Sequence, residues 1–273
     1  MPTNRSQTNR PALPRNRVMV AVTNHVAHEL RCARDYGLGC EIQIFGLPSF
    51  LARDCTPELK RMIARLAPIK GPIGCHGPFI DMIHYSTDPE IMEVCRLRYL
   101  RAFDVAEALG ARYVLFHSQY NPIIRVPIYP ATYREQSLRF WPEIIEEAEK
   151  RRIAIYIENM FDDAPEPMRE LAEAFGSPWF KLCIDVAHAE IYSSLDITAW
   201  IDAFGEHLRH VHLNDSYGEL DDHLGLGQGV LGIARALQKL KATQLPLTYA
   251  LETGTNTVAS LRFLGLRKLS PRS

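Results

Sequence analysis

The chain has 273 residues, 47% of them hydrophobic and 9% aromatic, which is enough for one large globular core. The formal net charge is −1, so no global basic field of the kind that drives non-specific nucleic-acid binding is present. No apolar run approaches the roughly 20 residues of a membrane-spanning helix.

Residues 1–17 carry four arginines, no acid and no hydrophobic stretch of the secretory type, and are expected to form a disordered tail. Residues 18–23 (VMVAVT) predict a first strand and residues 40–46 (CEIQIFG) a second. The glycine-closed helical segment HELRCARDYGLG joins them. A helix over 57–67 opens on Pro57. A strand then reaches His76, and the amphipathic stretch 89–110 predicts a long helix. Strand 113–117 runs into the loop SQYNPIIRVPIYP, which is long enough to cover a site. Next come helix 132–151, strand 153–158, helix 166–175, strand 180–185, helix 196–207, strand 209–214, helix 230–241 and strand 247–252.

Six of these strands are short and apolar and end on, or run directly into, His76, His117, Glu158, Asp185, His212 and Glu252. Continuous apolar runs suit parallel strands buried on both faces. Spacings of 41, 41, 27, 27 and 40 residues leave room for one crossover helix each. Eight strands alternating with helices over about 250 residues predict a single (β/α)8 TIM barrel over residues 18–266, and that architecture gathers its strand ends at one mouth. The six cysteines include no C-x-x-C, and Cys75 and Cys183 fall inside strands. Reduced thiols in a cytoplasmic protein are the expectation.

Two local patterns add ligand-type residues. Asp185-Val186-Ala187-His188 sets an imidazole three residues after a strand-end carboxylate. Asp221-Asp222-His223 puts an acid and an imidazole on one side of an extended segment, next to the glycine-rich Leu226-Gly227-Gln228-Gly229. Carboxylates on apolar strands are costly to bury unpaired, and neither Glu158 nor Glu252 has an arginine nearby in sequence. A divalent metal answers the problem for several acids at once: zinc first, with manganese, magnesium or cobalt compatible.

Taken together, IGCHGPF, VLFHS, IYIENM, CIDVAH, HVHLNDS with DDHLGLGQG, and YALETG resemble the xylose-isomerase-like TIM-barrel superfamily. That superfamily holds sugar isomerases and epimerases and the endonuclease IV group of abasic-site nucleases. The resemblance spans residues 18–255. It implies that Glu158, Asp185, His212 and Glu252 hold one divalent metal, as in the isomerases. Likeness to the nucleases implies that His76 and His117 hold a second metal bridged by Glu158, and that His188, Asp221 and His223 hold a third, making a trinuclear zinc site. Three departures turn the expectation from DNA to a small, nucleotide-like phosphodiester, of the type found in the nucleotide loop of cobamides. Ser118-Gln119 stands where the nucleases have Pro-Gly, Gln228 replaces an acid, and His76-Gly77-Pro78-Phe79 is closer to the small-molecule members.

Phosphodiester hydrolysis with up to three metals is thus the main expectation. The alternative is a one-metal sugar isomerase or epimerase in which Glu158 and Glu252 exchange a proton beside a carbonyl. An abasic-site nuclease or a non-enzymatic protein comes third. Phe79, Tyr120, Asn159 and Tyr217 are the substrate-contact candidates. His210 is expected inside the barrel, Glu41 as polar packing in strand 2, His25 and His28 in a solvated loop, and His84, His207 and Asp222 at the surface.

Overall fold

The computed structural model describes residues 13–270. In chain order, β1 (Val18–Val22) leads to α1 (Val26–Tyr36), and β2 (Gly39–Ile42) to the short α2 (Pro48–Leu51) and α3 (Thr56–Leu66). β3 (Ile73–His76) is followed by α4 (Pro89–Leu109), β4 (Tyr113–His117) by α5 (Tyr129–Arg151), and β5 (Ala154–Glu158) by α6 (Glu166–Phe175). β6 (Phe180–Asp185) precedes α7 (Val186–Tyr192) and α8 (Ile197–Phe204). β7 (Leu208–Leu213), α9 (Ile233–Ala242), β8 (Thr248–Leu251) and α10 (Thr257–Phe263) complete the chain. The eight strands pair in sequence order, all parallel, and β8 closes on β1: the expected (β/α)8 barrel.

The strand register explains how residues so far apart in sequence share one face. His117 pairs directly with Glu158, and Asp185 with His212. The remaining steps are staggered by two residues: His76 lies beside Leu115, Glu158 beside Cys183 and His212 beside Ala250. Side chains alternate along a strand, so an offset of two preserves the face, and the barrel's stagger keeps all six strand ends pointing inward.

Most of the core lies between strands and helices, with Trp141, Trp200, Tyr99 and Phe103 among its largest buried side chains. Inside the barrel, Met19, Tyr113, Leu115, Cys183 and Ala250 pack together. Tyr113 fits there because Gly74 has no side chain: a β-carbon at Gly74 would stand 2.2 Å from the Tyr113 ring. Asp185 ends β6 and also caps α7, its Oδ1 accepting from the His188 backbone N–H at 2.8 Å. That cap fixes His188 one turn past the strand end.

Several expectations are corrected. β2 stops at Ile42 rather than 46, because residues 43–46 form a turn closed by Gly46 N–H donating to Gln43 O at 2.8 Å. The tail expectation fails for residues 13–17: Leu13 is buried, Arg15–Arg17 form a 3-10 turn, and Arg15 donates to Arg267 O at 2.9 Å. Residues 1–12 lie outside the described residues. His84 is buried, not superficial, inside an aromatic cage with Tyr99, Tyr133, Phe140 and Trp141. His207 is half-buried. The six cysteines are unpaired, and no helix among the described residues is long and apolar enough to cross a membrane.

Candidate metal centre

The nine candidate side chains meet at the C-terminal mouth of the barrel. Glu158, Asp185, His212 and Glu252, all buried, offer ligand atoms within 4.8 Å of one another. His212 Nδ1 stands 2.9 Å from Glu158 Oε1 and 3.3 Å from Glu252 Oε2. A second group, His76, His117 and Glu158, meets the same 4.8 Å criterion. Here His76 Nε2 and His117 Nε2 approach Glu158 Oε2 at 3.6 and 3.4 Å, so Glu158 faces both groups, one through each oxygen. In a third group, Asp221 Oδ2 stands 3.2 Å from His188 Nε2 and 2.9 Å from His223 Nε2.

Three of the five imidazoles are aimed by their other nitrogen. His76 Nδ1 bonds Gly77 O, His188 Nδ1 bonds Asn159 O, and His223 Nδ1 bonds Glu252 O, each at 2.9 Å. These bonds leave Nε2 directed into the cavity, the arrangement that orients metal-binding histidines. His223 adopts a left-handed φ of 50°, an uncommon conformation for a residue with a side chain, and is the outermost member, with 44% side-chain exposure.

Below the mouth lies a network that sequence reasoning missed. Glu41, read as polar packing, is fully buried, and its carboxylate stands 3.0 Å from both His210 Nε2 and His212 Nε2. It also accepts from Tyr113 OH at 2.6 Å and from Gln43 Nε2 at 3.0 Å. The Gln43 amide bonds Glu252 Oε1 as well, tying the floor to the ligand set. Asn214 Nδ2 donates to Asp185 Oδ2 at 2.9 Å. The only signal for Glu41 and His210 was their inward alternation on β2 and β7; Tyr113 lies on β4, and Gln43 and Asn214 follow the ends of β2 and β7.

Charge balances inside the site. Burial by itself would raise the Glu158 carboxyl, but His212 and His117 outweigh it and hold the group well below the usual carboxylate range. Burial would lower His212, yet Glu158, Glu252 and Glu41 hold it well above the ordinary imidazole value. Asp185 is pushed up to about 6, by burial first, with His188 opposing. His188 and His223 rise to about 10 because neighbouring carboxylates outweigh desolvation.

The residues fit divalent cations. Glu158 Oε2 and Asp221 Oδ1 are buried and have no hydrogen-bond partner, a costly state that a cation relieves. Oxygen and imidazole donors in this ratio suit zinc or manganese. A further grouping, Cys183, His210 and His212, does not fit. Its two imidazoles face Glu41, and His210 Nδ1 bonds Thr248 Oγ1 at 2.6 Å. Burial also lifts the Cys183 thiol far above its ordinary range, away from the thiolate a metal needs.

Of the substrate-contact candidates, only Phe79 faces the mouth, with its ring 5.3 Å from that of His76 and 5.6 Å from that of His117. Asn159 is buried and spent on positioning, exchanging two hydrogen bonds with the Asp185 backbone. Tyr120 is buried and stacks on Tyr129, while Tyr217 is exposed and outside the cavity lining. His25 and Asp222 instead line a cleft beside the ligand set. Ser118, next to His117, is clamped by Asp162 at 2.5 Å and by Tyr133 OH at 2.9 Å.

The comparisons with known proteins agree with this fold. The "uncharacterized protein MJ1311" of Methanocaldococcus jannaschii is 26% identical over 173 residues, 61% of this chain. The match spans only 59% of that relative's length. The TTHB071 protein from Thermus thermophilus, solved after soaking with ZnCl2, superposes with a TM-score of 0.75 at 29% identity, over 91% of this chain and 96% of that one. A D-tagatose 3-epimerase-like protein superposes with a TM-score of 0.75 at 19% identity, over 91% of this chain and 97% of that one. The sequence profile of the family described as "Xylose isomerase-like TIM barrel" matches residues 31–265, and the chain belongs to that family.

Proposed function

We propose that this chain is a metal-dependent hydrolase acting on a phosphodiester in a small substrate, with divalent cations, zinc foremost, held in up to three adjacent ligand sets. One observation carries the reading. The five ligand-type side chains outside the four-residue set, His76, His117, His188, Asp221 and His223, line the same 160 Å³ cavity as Glu158 and Glu252. A reaction needing one metal has little use for so many converging ligand atoms. Clustered divalent cations, when bound, neutralise charge on a phosphoryl group and make water a better nucleophile near neutral pH.

The chain's own residues supply the setting. Glu158 spans two ligand sets from the cavity floor. Gln43 fixes Glu252 by binding one of its oxygens, which leaves the other facing His212. Phe79 covers His76 and His117 and keeps bulk water off that side. Glu158 and Glu252 are the groups placed to hold or pass a proton at the reacting centre.

The second reading is a sugar isomerase or epimerase, and the comparisons favour it, since a solved neighbour is described as D-tagatose 3-epimerase-like. In that case Glu158, Asp185, His212 and Glu252 hold one cation, Glu158 and Glu252 exchange the proton beside a carbonyl, and the other five groups bind sugar hydroxyls. Counting metals by mass spectrometry, on protein purified without added metal or chelator, separates the two. About three per chain, mostly zinc, is the expected result, falling in both His117→Ala and His223→Ala together with phosphodiesterase activity. About one per chain, with deuterium uptake from heavy water into a ketose, would replace the hydrolase reading with the epimerase one.

A further inference from the structure

Beside the ligand cavity, the loops after β1, β2 and β8 enclose a second, larger cleft of about 740 Å³. The two share Gln43, Phe79, His223 and Glu252, so a molecule reacting at the ligand set can extend directly into this cleft. One wall is apolar and partly aromatic: Ile44, Leu47, Phe50 and Phe79. Leu47 is 38% exposed and presents its apolar side chain in this wall. The rest of the lining offers amide and hydroxyl groups, Asn24, Thr255 and Asn256 among them.

The wall is built for this position. Residues 43–46 turn off the end of β2, and α2 follows at once, starting on Pro48. Gly46 permits the turn to press against Phe79: a β-carbon there would stand 2.8 Å from Gly77 O and 3.0 Å from the Phe79 ring. Phe50 is held edge-on by Phe45 at 5.9 Å.

Among the described residues, no lysine or arginine lines the cleft. Arg53 stacks on the Phe50 ring at 4.7 Å but is outside the lining and is paired with Glu58. The lining acids are Asp222, which accepts from Tyr217 N–H at 3.0 Å, and Glu252, held by Gln43. An anionic group in the body of the cleft would meet the Asp222 carboxylate with no lysine or arginine to balance it, while His223 and Glu252 stand where the cleft joins the ligand cavity. A monosaccharide would leave most of the volume empty, whereas clefts of about 300–1,000 Å³ suit larger, mostly apolar ligands with a few polar contacts.

We propose that this cleft is the specificity subsite and takes an uncharged, ring-bearing group of about nucleoside size attached to the reacting phosphodiester. The ring lies against Phe50, Phe79 and Leu47, and its heteroatoms meet Asn24, Thr255 and Asn256. The proposal rests on the hydrolase reading for what is cleaved, but the cleft can be probed without turnover. Three esters that release p-nitrophenolate serve as probes: methyl p-nitrophenyl phosphate, thymidine 5′-(p-nitrophenyl phosphate), and the same nucleoside ester bearing a 3′-phosphate.

The thymidine ester is expected to exceed the methyl ester about 10–100-fold in kcat/KM, as burial of one ring should give. The added 3′-phosphate should remove most of that gain. Phe50→Ala and Leu47→Arg should each lower the ratio of thymidine to methyl ester, with metal content per chain confirming an intact ligand set. Equal kcat/KM for the methyl and thymidine esters, or a gain on adding the 3′-phosphate, would overturn the proposal. Turnover of none of the three would refute the hydrolase reading instead. Calorimetric titration with thymidine alone then decides on the cleft: saturable binding weakened by Leu47→Arg sustains it, and no binding ends it.

Discussion

Glu41 sets one carboxylate against two imidazoles. Its Oε1 stands 3.0 Å from His212 Nε2, a charge contact rather than a hydrogen bond, while His212 Nδ1 faces Glu158 and Glu252. Outer-sphere partners of this kind typically change metal affinity about 10–100-fold when removed. Glu41→Gln is therefore expected to weaken the tightest metal by that range in competition with a chromophoric chelator. His210→Gln, which alters a Glu41 neighbour whose ring meets His212 only edge to face, should weaken it less. Equal affinity in wild type and Glu41→Gln would show that the carboxylate is packing after all. The nine ligand candidates were legible in sequence because each stands at a strand end or in a short motif beside one. Glu41 was not, because Tyr113, His210 and His212 lie on β4 and β7 and are remote in sequence. Its neighbours along β2 give no hint of a charged partner. Asn159 misled in the opposite direction: its place beside Glu158 suggested substrate, while its amide closes on the Asp185 backbone.

Among the elements, the segment after β7 gathers around one carboxylate, with Ser216, Asp222 and Gln228 adding further bonds. Asp215 accepts from the backbone N–H groups of Ser216, Gly227, Gly229 and Leu231 at 2.9, 2.9, 3.0 and 3.2 Å. It thereby folds the glycine-rich stretch back under Asp221 and His223. Gly229 lets this happen: a β-carbon there would stand 2.4 Å from the Asp215 carboxylate. Hydrogen bonds to a charged group contribute about 1.5–3 kcal/mol each and are not additive, so Asp215→Ala is expected to cost about 2–4 kcal/mol. Hydrogen exchange should show where: faster exchange at Gly227, Gly229 and Leu231 with the barrel strands unchanged, and a lowered metal count. Unchanged exchange at these amides would rule the clamp out. The glycines themselves announced a tight turn in the sequence, but not its carboxylate centre. The strands and the long helices were legible from apolar runs and periodicity. The short α7 was not, because Asp185 reads as the end of a strand and acts also as the start of a helix.

Across the whole molecule, two buried groups outside the ligand set tie stability to pH with opposite sign. His84, in its aromatic cage, is pushed down to about 3 by burial. Between about pH 6.5 and 3 the unfolded chain binds a proton there that the fold refuses. The contribution is complete above the unfolded value and is lost as pH falls through that window. Asp162, which clamps Ser118 with one oxygen and leaves the other without a partner, is raised to about 7, mainly by burial. Between about pH 3.8 and 7 the fold keeps a proton that the unfolded chain releases, so this contribution is complete at the acid end and is lost as pH rises through 7. Each proton changes unfolding free energy by about 1.4 kcal/mol per pH unit inside its window, and the two slopes oppose each other where the windows overlap. Single variants separate them, measured by urea unfolding on chelator-treated protein. Asp162→Asn copies the protonated carboxyl and can still accept from Ser118 and the Met160 N–H. It should gain stability relative to wild type as pH rises from 5 to 8, about 1.4 kcal/mol per unit until the wild-type group is ionised. His84→Phe removes the acid-side loss, so its stability relative to wild type should improve steadily as pH falls from 6.5 to 4. A wild-type minus Asp162→Asn difference that stays flat from pH 5 to 8 would place the Asp162 carboxyl back in its ordinary range. The Ser118 clamp beside His117 would then be made by a carboxylate that stays ionised throughout.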